Sequence, residues 1–176
     1  MPTVMSRWRS FALVGTLLAS AFSAASQERN EYRLKAAFLY NFALFTEWPA
    51  SVGSPLQLCV LGPDVFGAEL DALQGKQVAE RSIHVQRKAV GDNLSACHIL
   101  FVAPAAMAGL ARALQDLHGK PVLTVADSAG AARSGVALNM SIDKGKISFE
   151  ANLVSARAAG LGLSSKLLRL ATEVHQ

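Results

Sequence analysis

The stretch LQLCVLG, residues 56–62, is a continuous apolar run that ends in glycine. A strand with no alternation of apolar and polar side chains is typical of a parallel sheet that is buried on both faces. The following residues, PDVFGAELDALQ, favour a short helix for which Asp64 is a suitable N-cap. This part of the chain therefore predicts a strand that leads into a helix.

The same pattern of a strand followed by a helix recurs along the chain. SIHVQ (82–86) alternates, HILFV (98–102) precedes the helical AAMAGLARALQDL, and PVLTVAD (121–127) is a third apolar run. Residues 135–151 contain two alternating strands around the turn DKG, which indicates a β-hairpin. We therefore predict an α/β fold, a three-layer sandwich whose mostly parallel sheet is flanked by helices, with an antiparallel C-terminal hairpin at the edge.

Two helices are expected at the ends of this fold. In YRLKAAFLYNFALFTEWP (32–49) the apolar residues recur at helical spacing, and Pro49 is expected to end the helix after Trp48. Near the C-terminus, residues 153–170 form a second helical face that is interrupted by Gly160 and Gly162. The aromatic residues of the first helix are predicted core residues: Phe38, Phe42, Phe45 and Trp48. The surplus apolar surface of this helix is available for a homodimer.

The first residues have the three-part layout of a secretory signal. Arg7 and Arg9 give a positive start, residues 11–19 are apolar, and residues 20–26 are mostly small. The apolar stretch is shorter than the ~20 residues that a membrane span needs. We predict a signal peptide at residues 1–25, cleaved after Ala25, and a single α/β domain at residues 26–176 of an exported, periplasmic protein with no membrane span.

The basic character of the chain belongs largely to this leader. The whole chain has 17 basic and 13 acidic side chains, and cleavage removes two of the arginines. The remaining basic residues are dispersed and are not interleaved with aromatic residues. This pattern argues against nucleic acid as a partner.

The predicted export also bears on the oxidation state of the two cysteines. Outside the reducing cytosol, an isolated pair such as Cys59 and Cys97 indicates one disulfide, although two unconnected buried thiols are the alternative. If the strands at 56–62 and 98–102 are neighbours, as the first and third strands are in common doubly wound sheets, the cysteines come within bridging distance. Because neither cysteine lies in a CxxC pair, a thioredoxin-like redox role is disfavoured.

The search for catalytic chemistry yields little. Asp64 and Asp127 follow predicted strands, where α/β proteins place their ligand sites, but a lone aspartate at this position more often caps a turn. The glycines do not match a phosphate loop or a dinucleotide fingerprint. The histidines are scattered and predict no metal site: His84, His98, His118 and His175. We therefore predict a protein that is not an enzyme and that has no catalytic residues, cofactor or metal.

Three segments carry a resemblance to a known family. KAAFLYNFALFTEWP (35–49), LCVLG (58–62) with CHILFV (97–102), and FEANLVSARAAGLGLSSKLLRLA (149–171) are similar to the YfiR family of exported bacterial proteins. The similarity runs from about residue 31 to residue 171. It implies a periplasmic, non-catalytic α/β protein that inhibits an inner-membrane diguanylate cyclase by binding its periplasmic sensor domain, which lowers cyclic-di-GMP and restrains biofilm formation.

The resemblance also bears on particular residues. It implies a disulfide between Cys59 and Cys97, whose redox state affects stability and activity. The second cysteine pair of some members is missing here, and Ala151 replaces a bulkier apolar residue in the FEAN motif. The missing pair leaves one disulfide, and Ala151 bears on the packing of this strand end and on the choice of partner.

The partner surface is expected in the last segment, where a glycine-broken helix places apolar side chains beside accessible backbone. The main candidate partner is a GGDEF-type cyclase. The residues predicted to contact it are Phe149, Glu150, Leu161, Leu163 and Leu167. The alternative is that these leucines simply cover the sheet. Two other functions stay open: a small-molecule-binding accessory protein of a sensor kinase or outer-membrane transporter, with a cleft near Asp64 and Asp127, and a hydrolase that uses Asp127.

Overall fold

The computed structural model describes residues 30–176. The predicted signal peptide at residues 1–25 lies outside the described residues, so the division into a signal peptide and one domain stays a prediction. Within the described part of the chain, no helix combines the length and the apolar character that crossing a bilayer requires.

The described part of the amino-terminal half contains two helices and four strands. Its elements are α1 (30–44), β1 (Thr46–Glu47), β2 (Leu56–Leu61), α2 (Ala68–Asp71), β3 (Gln77–Val78) and β4 (Arg81–Lys88). Asp64 accepts hydrogen bonds from the backbone N–H groups of Phe66 and Gly67, but the N-cap residue of α2 is Gly67, so Asp64 is not the N-cap that the sequence predicts. However, α2 begins only at Ala68, so this helix is shorter than the sequence predicts.

The carboxyl-terminal half contains more short elements than the sequence indicates. They are β5 (Ile99–Val102), a 3₁₀ helix (Pro104–Gly109) that continues as α3 (Leu110–Asp116), β6 (Leu123–Ala126), β7 (Leu138–Asp143), β8 (Lys146–Asn152), α4 (Leu153–Ala158), β9 (Gly162–Leu163), α5 (Ser165–Leu168) and β10 (Glu173–His175). The predicted strands at 56–62, 82–86, 98–102 and 121–127 are confirmed, as is the hairpin around the DKG turn.

One sheet of eight strands dominates the described residues. Its strand order is β10-β8-β7-β6-β5-β2-β4-β3, and a separate two-stranded sheet pairs β1 with β9. In the large sheet only the β7–β8 and β3–β4 pairs are antiparallel. The predicted α/β class with a mostly parallel sheet is therefore confirmed, and β2 and β5 are direct neighbours, as expected for the first and third predicted strands.

The predicted hairpin forms, but it does not lie at the edge of the sheet. β7 and β8 pair antiparallel from Leu138 and Ala151 to Asp143 and Lys146. The turn between them places Lys144 and Gly145 at positive φ, which is the geometry that tight hairpins require. β10 then pairs parallel with the outer side of β8, so the hairpin is one strand in from the edge.

Both faces of the central strands are buried, which explains why their sequences do not alternate. Leu58 and Val60 of β2 belong to one core cluster, the α1-side cluster, together with Phe42. Cys59 and Leu61 face the opposite way into a second cluster, the α3-side cluster, which includes residues of α3 such as Leu110, Ala113 and Leu117. α1 contributes to the first cluster and α3 to the second, so most side chains of the central strands are apolar, with exceptions such as Gln57 and Thr124. The three-layer arrangement stays a prediction.

The first helix is shorter than predicted. It ends at residue 44, and the chain then turns into β1, which pairs with β9. Thr46 Oγ1 donates a hydrogen bond to the carbonyl oxygen of Phe42, which helps to satisfy the helix end. Phe42 is fully buried, as predicted, while the other three aromatic residues of this face are partly buried against the same cluster: Phe38, Phe45 and Trp48. A homodimer through this face stays a prediction.

The predicted C-terminal helical face is divided into several elements. Asn152 caps α4 by accepting a hydrogen bond from the backbone N–H of Ser155, and α4 ends at Ala158. Gly160 then adopts a φ of +69°, a conformation that a side chain would strain. Leu163 of β9 and Leu167 of α5 still face the core, but from separate short elements and not from one continuous helix.

At the other end of the sheet, the outer side of β4 is only partly covered by a strand. β3 pairs with Arg81 and Ser82 alone. Further along, the side chain of Gln74 takes the place of a neighbouring strand, because its Oε1 accepts a hydrogen bond of 2.9 Å from the backbone N–H of Val85.

Candidate functional site

The disulfide joins the two central strands of the sheet. Cys59 lies in the middle of β2, and Cys97 lies just before β5. Their sulfur atoms are bonded, and their Cα atoms are 5.8 Å apart. Both residues are buried in the α3-side cluster. The predicted pairing is confirmed, and the alternative of two free thiols is excluded.

A buried ion pair lies at the carboxyl end of β6. Asp127 follows this strand, and its Oδ2 accepts a hydrogen bond of 2.6 Å from Nζ of Lys35 in α1. The side chains are only 5% and 2% exposed for Lys35 and Asp127, respectively. Lys35 also donates to Glu31, one turn earlier in the helix, and its ammonium group lies 4.5 Å from the centre of the Tyr32 ring. The pair ties α1 to the end of the sheet.

The electrostatics of this pair keep Lys35 charged. Burial by itself lowers the pKa of Lys35, but the hydrogen bonds from its ammonium group to Asp127 and Glu31 outweigh burial, so its pKa is raised. The second carboxylate oxygen of Asp127, Oδ1, is buried and has no hydrogen-bond partner. Such an oxygen is an available acceptor, although its burial and the adjacent ion pair also fit a structural role.

Asp64, the other aspartate of the expected cleft, is committed to an ion-pair network. Its Oδ2 accepts a hydrogen bond of 2.6 Å from Arg87 at the end of β4, and Arg87 also binds Asp71 of α2 at 2.7 Å. Partial burial works against ionisation of Asp64, but the bonds from Arg87 and from the backbone of Gly67 and Phe66 hold its pKa below the usual value. These ion pairs attach α2 to the sheet, and they restrict the conformations of the three side chains that form them.

The predicted partner residues lie together in space but mostly face inward. Four of them are buried in the α1-side cluster, where Phe149 contacts the rings of Phe38 and Phe42: Phe149, Leu161, Leu163 and Leu167. Glu150 alone is partly exposed. The four apolar side chains therefore pack in the core beneath the surface, which agrees with the alternative expectation that these leucines simply cover the sheet. A binding role for this set has not been tested and stays a prediction.

The exposed apolar side chains of the same segment are different residues. Val154 on α4 is 58% exposed, and Leu170 just after α5 is 66% exposed. The sequence analysis assigned neither residue to the partner surface, because it placed Leu170 on the same helical face as the buried leucines and did not single out Val154. Asn152, Gly160 and Ser164 set these elements, since each one begins or ends a short helix.

A second group of polar side chains comes together at the edge of the sheet. The fold brings Glu150 of β8 next to Glu173 and His175 of β10, with potential ligand atoms within 4.8 Å of one another. The sequence reasoning missed this group because it assigned no strand to residues 173–175. The available signal was the Glu-x-His spacing, which places both side chains on one face of a strand.

Most of the chain is similar to one family of known proteins. A family model described as YfiR/HmsC-like matches residues 32–172. The matched range includes Lys35, both cysteines, and the whole segment from Phe149 to Leu170. It ends before Glu173 and His175.

Proposed function

Because this chain belongs to the YfiR/HmsC-like family, we propose that it is a periplasmic regulatory binding protein that inhibits an inner-membrane diguanylate cyclase. It does so by binding the periplasmic sensor domain of a GGDEF-type cyclase and so lowers cyclic-di-GMP. The family match over residues 32–172 is the observation that carries this proposal. The resemblance of three long segments to regulatory members supports it.

The proposed mechanism requires no reaction. A folded domain that binds the inactive conformation of a receptor better than the active one shifts the receptor toward inactivity. To reverse a strongly biased equilibrium, the two affinities must differ by about 5 kcal/mol. Burial of an exposed valine or leucine contributes about 1.5–3 kcal/mol. Two or three such side chains, buried only against the inactive receptor, are therefore sufficient.

We place the contact surface on the segment from Phe149 to Leu170. The core supports this segment through Phe149 and three leucines, while Val154 and Leu170 present apolar side chains to solvent. The partly exposed Glu150 lies in the same segment. The proposed contact segment is therefore the one that the sequence predicts, but direct contact is assigned to its exposed residues Val154 and Leu170 and to the partly exposed Glu150.

The proposal is tested in the cell that makes the protein. Deletion is expected to raise cyclic-di-GMP and biofilm formation, and the wild-type chain should restore both. Val154→Asp and Leu170→Asp are each expected to weaken this restoration and capture of the cyclase from membranes by roughly tenfold or more, because each buries a charge at the interface. Melting temperatures should stay close to that of the wild type.

Val90→Asp serves as the matched control. Val90 is 64% exposed, like Val154 and Leu170, but it follows β4 and lies outside the proposed segment. It should restore repression fully. If deletion leaves cyclic-di-GMP unchanged, or if no cyclase is recovered with the wild-type chain, the cyclase partner is wrong. If Val90→Asp fails as the other two do, the surface is wrong.

The second candidate function is a small-molecule-binding accessory protein. It is favoured by one observation, the buried and unpartnered Oδ1 of Asp127 at the carboxyl end of β6. Native mass spectrometry of the protein released from the periplasm under mild conditions would show a bound small molecule in this case. Loss of the bound mass in Asp127→Asn would assign it to this aspartate.

A further inference from the structure

We propose that Glu150, Glu173 and His175 form a binding site for a first-row divalent transition-metal ion, with Zn²⁺ as the best representative. The ion would join the last strand, β10, to β8. This inference is independent of the proposed function, because it rests on the geometry of three side chains and not on the family. It departs from the sequence-based expectation that the scattered histidines hold no metal.

The sheet register brings the three side chains to one place. Glu173 of β10 is the direct Cα partner of Glu150 in β8, so their side chains project from the same face. His175 is two residues beyond Glu173 and shares that face. The intervening Val174 and the neighbouring Phe149 pack into the α1-side cluster on the opposite face. Backbone pairing, and not a chance loop conformation, therefore positions the group.

The distances fit ligands that converge on an ion better than they fit hydrogen bonds. The His175 Nε2 atom is buried and has no hydrogen-bond partner. Its neighbour, Oε2 of Glu150, is 4.0 Å away, which is too far for a hydrogen bond. The other ring nitrogen, Nδ1, lies 3.5 Å from Oε1 of Glu173. An imidazole binds an ion through one nitrogen, and one ligand atom from each of the three residues can be chosen so that all three lie within 4.8 Å of one another. Two ligands bound at about 2.0–2.2 Å to one tetrahedral ion lie roughly 3.3 Å apart, so small side-chain rotations suffice.

The donor set selects the class of metal. One imidazole nitrogen with two carboxylates suits Zn²⁺ and its first-row neighbours, whereas Mg²⁺ and Ca²⁺ prefer ligands that are all oxygen. Three protein ligands leave the fourth position of a tetrahedral ion open to water or to a group from a partner. The site therefore resembles open zinc sites more than closed structural ones.

One positive charge lies at the rim of the site. Arg133 Nη2 is 3.7 Å from Oε1 of Glu173, and its side chain is 73% exposed. An exposed arginine gains little from such a distant pair and can turn into solvent when an ion neutralises the carboxylate. Removal of this competing charge should strengthen metal binding, which gives the test a variant that acts in the opposite direction.

The test is a Zn²⁺ titration of the mature, folded protein by calorimetry. We expect one ion per chain, with affinity at least about 100-fold weaker in His175→Gln and in Glu173→Gln, since each removes a ligand. Arg133→Gln should bind severalfold more tightly. Hydrogen exchange at the β10 amides should slow on Zn²⁺ addition in the wild type and not in His175→Gln.

Two controls make the result decisive. His118→Gln removes an exposed histidine at the end of α3, far along the chain from the site, and should bind Zn²⁺ as the wild type does. Circular dichroism melts without metal verify that the variants fold, and Mg²⁺ should give no binding. The proposal is overturned if Zn²⁺ does not bind up to millimolar concentration, or if His175→Gln binds Zn²⁺ as tightly as the wild type does.

Discussion

At the residue scale, Lys35 is a charged residue that is buried in the folded protein. Its ammonium group is buried between α1 and the end of β6, and its charge is compensated by Asp127 and Glu31. A buried pair of this kind adds little net stability, because desolvation offsets the attraction. Loss of one partner is far more costly, because it leaves the other charge uncompensated.

Lys35→Met should therefore destabilise the protein by about 3–5 kcal/mol, because the carboxyl group of Asp127 is left buried without its partner. The double variant Lys35→Met with Asp127→Leu should recover much of this loss. Urea unfolding of the mature chain measures both changes. Lys146→Met, at an exposed position in β8, is the control and should change stability by less than about 0.5 kcal/mol. Equal losses in the single and double variants would contradict this account.

At the scale of elements, the described structure is held together by contacts between strands that are distant in sequence. His98 is an example, because it lies immediately before β5 and accepts a hydrogen bond of 3.0 Å at Nδ1 from the backbone N–H of Gln57 in β2. Burial lowers the pKa of His98, and the positive charge of Arg81 lowers it further. The neutral ring is therefore the form that joins the two strands.

This arrangement predicts a pH dependence of folding stability. The unfolded chain binds a proton at His98 near pH 6.5, whereas the folded chain does so only at lower pH. The contribution of His98 is therefore complete above about pH 6.5 and is lost as the pH falls through the interval below it, with a slope of at most about 1.4 kcal/mol per pH unit. Unfolding free energies measured from pH 7.5 to pH 5 give this slope.

His98→Asn is the matched control for the pH dependence, because its side-chain oxygen can still accept the bond from Gln57 but does not titrate. The difference in slope between the two proteins isolates His98 from the other histidines. Parallel curves for the wild type and His98→Asn would show that this residue is not responsible.

The elements also show which part of the fold the sequence can predict. The apolar runs of β2, β5 and β6 were recognisable because burial on both faces removes polar residues from the strand itself. Four strands were missed, β1, β3, β9 and β10, because strands of two or three residues have no periodicity and exist only through pairing with other strands. The leucines from 153 to 170 have helical spacing, yet the positive φ of Gly160 divides them, and only the folded chain shows this.

The candidate sites also differ in how far the sequence could predict them. The pairing of Cys59 with Cys97 was predictable, because it follows from the order of two recognisable strands and from the resemblance to the family. The partner of Lys35 was not, since 92 residues separate it from Asp127. The group around His175 likewise depends on the register of β10, which no pattern in the sequence indicates.

At the scale of the whole molecule, the disulfide crosses the centre of the sheet and closes a loop with a sequence separation of 38 residues. In the chain-entropy model, a loop of this length stabilises the folded state by about 4 kcal/mol, since it restricts the unfolded chain. The bond lies in the α3-side cluster, so its loss also leaves a small packing defect there.

The double variant Cys59→Ala with Cys97→Ala should therefore lose about 4 kcal/mol of unfolding free energy. Reduction of the wild-type protein should produce a loss of similar size, while the same reductant should leave the double variant unchanged. Chemical denaturation with and without dithiothreitol measures all four states. A wild-type protein that keeps its stability after verified reduction would contradict the prediction.

The Gln74 side chain on the outer flank of β4 has a consequence for the behaviour of many copies of this protein at high concentration. An open strand edge invites another chain to add to the sheet, and this is a common route to aggregation. Gln74 already occupies one backbone donor on this flank, at Val85, and Arg87 and Lys88 follow with like charges. A second copy would have to displace the amide and approach Lys88, while the charge of Arg87 is already compensated by Asp64 and Asp71, so the flank resists polymerisation although β3 covers only its first two residues.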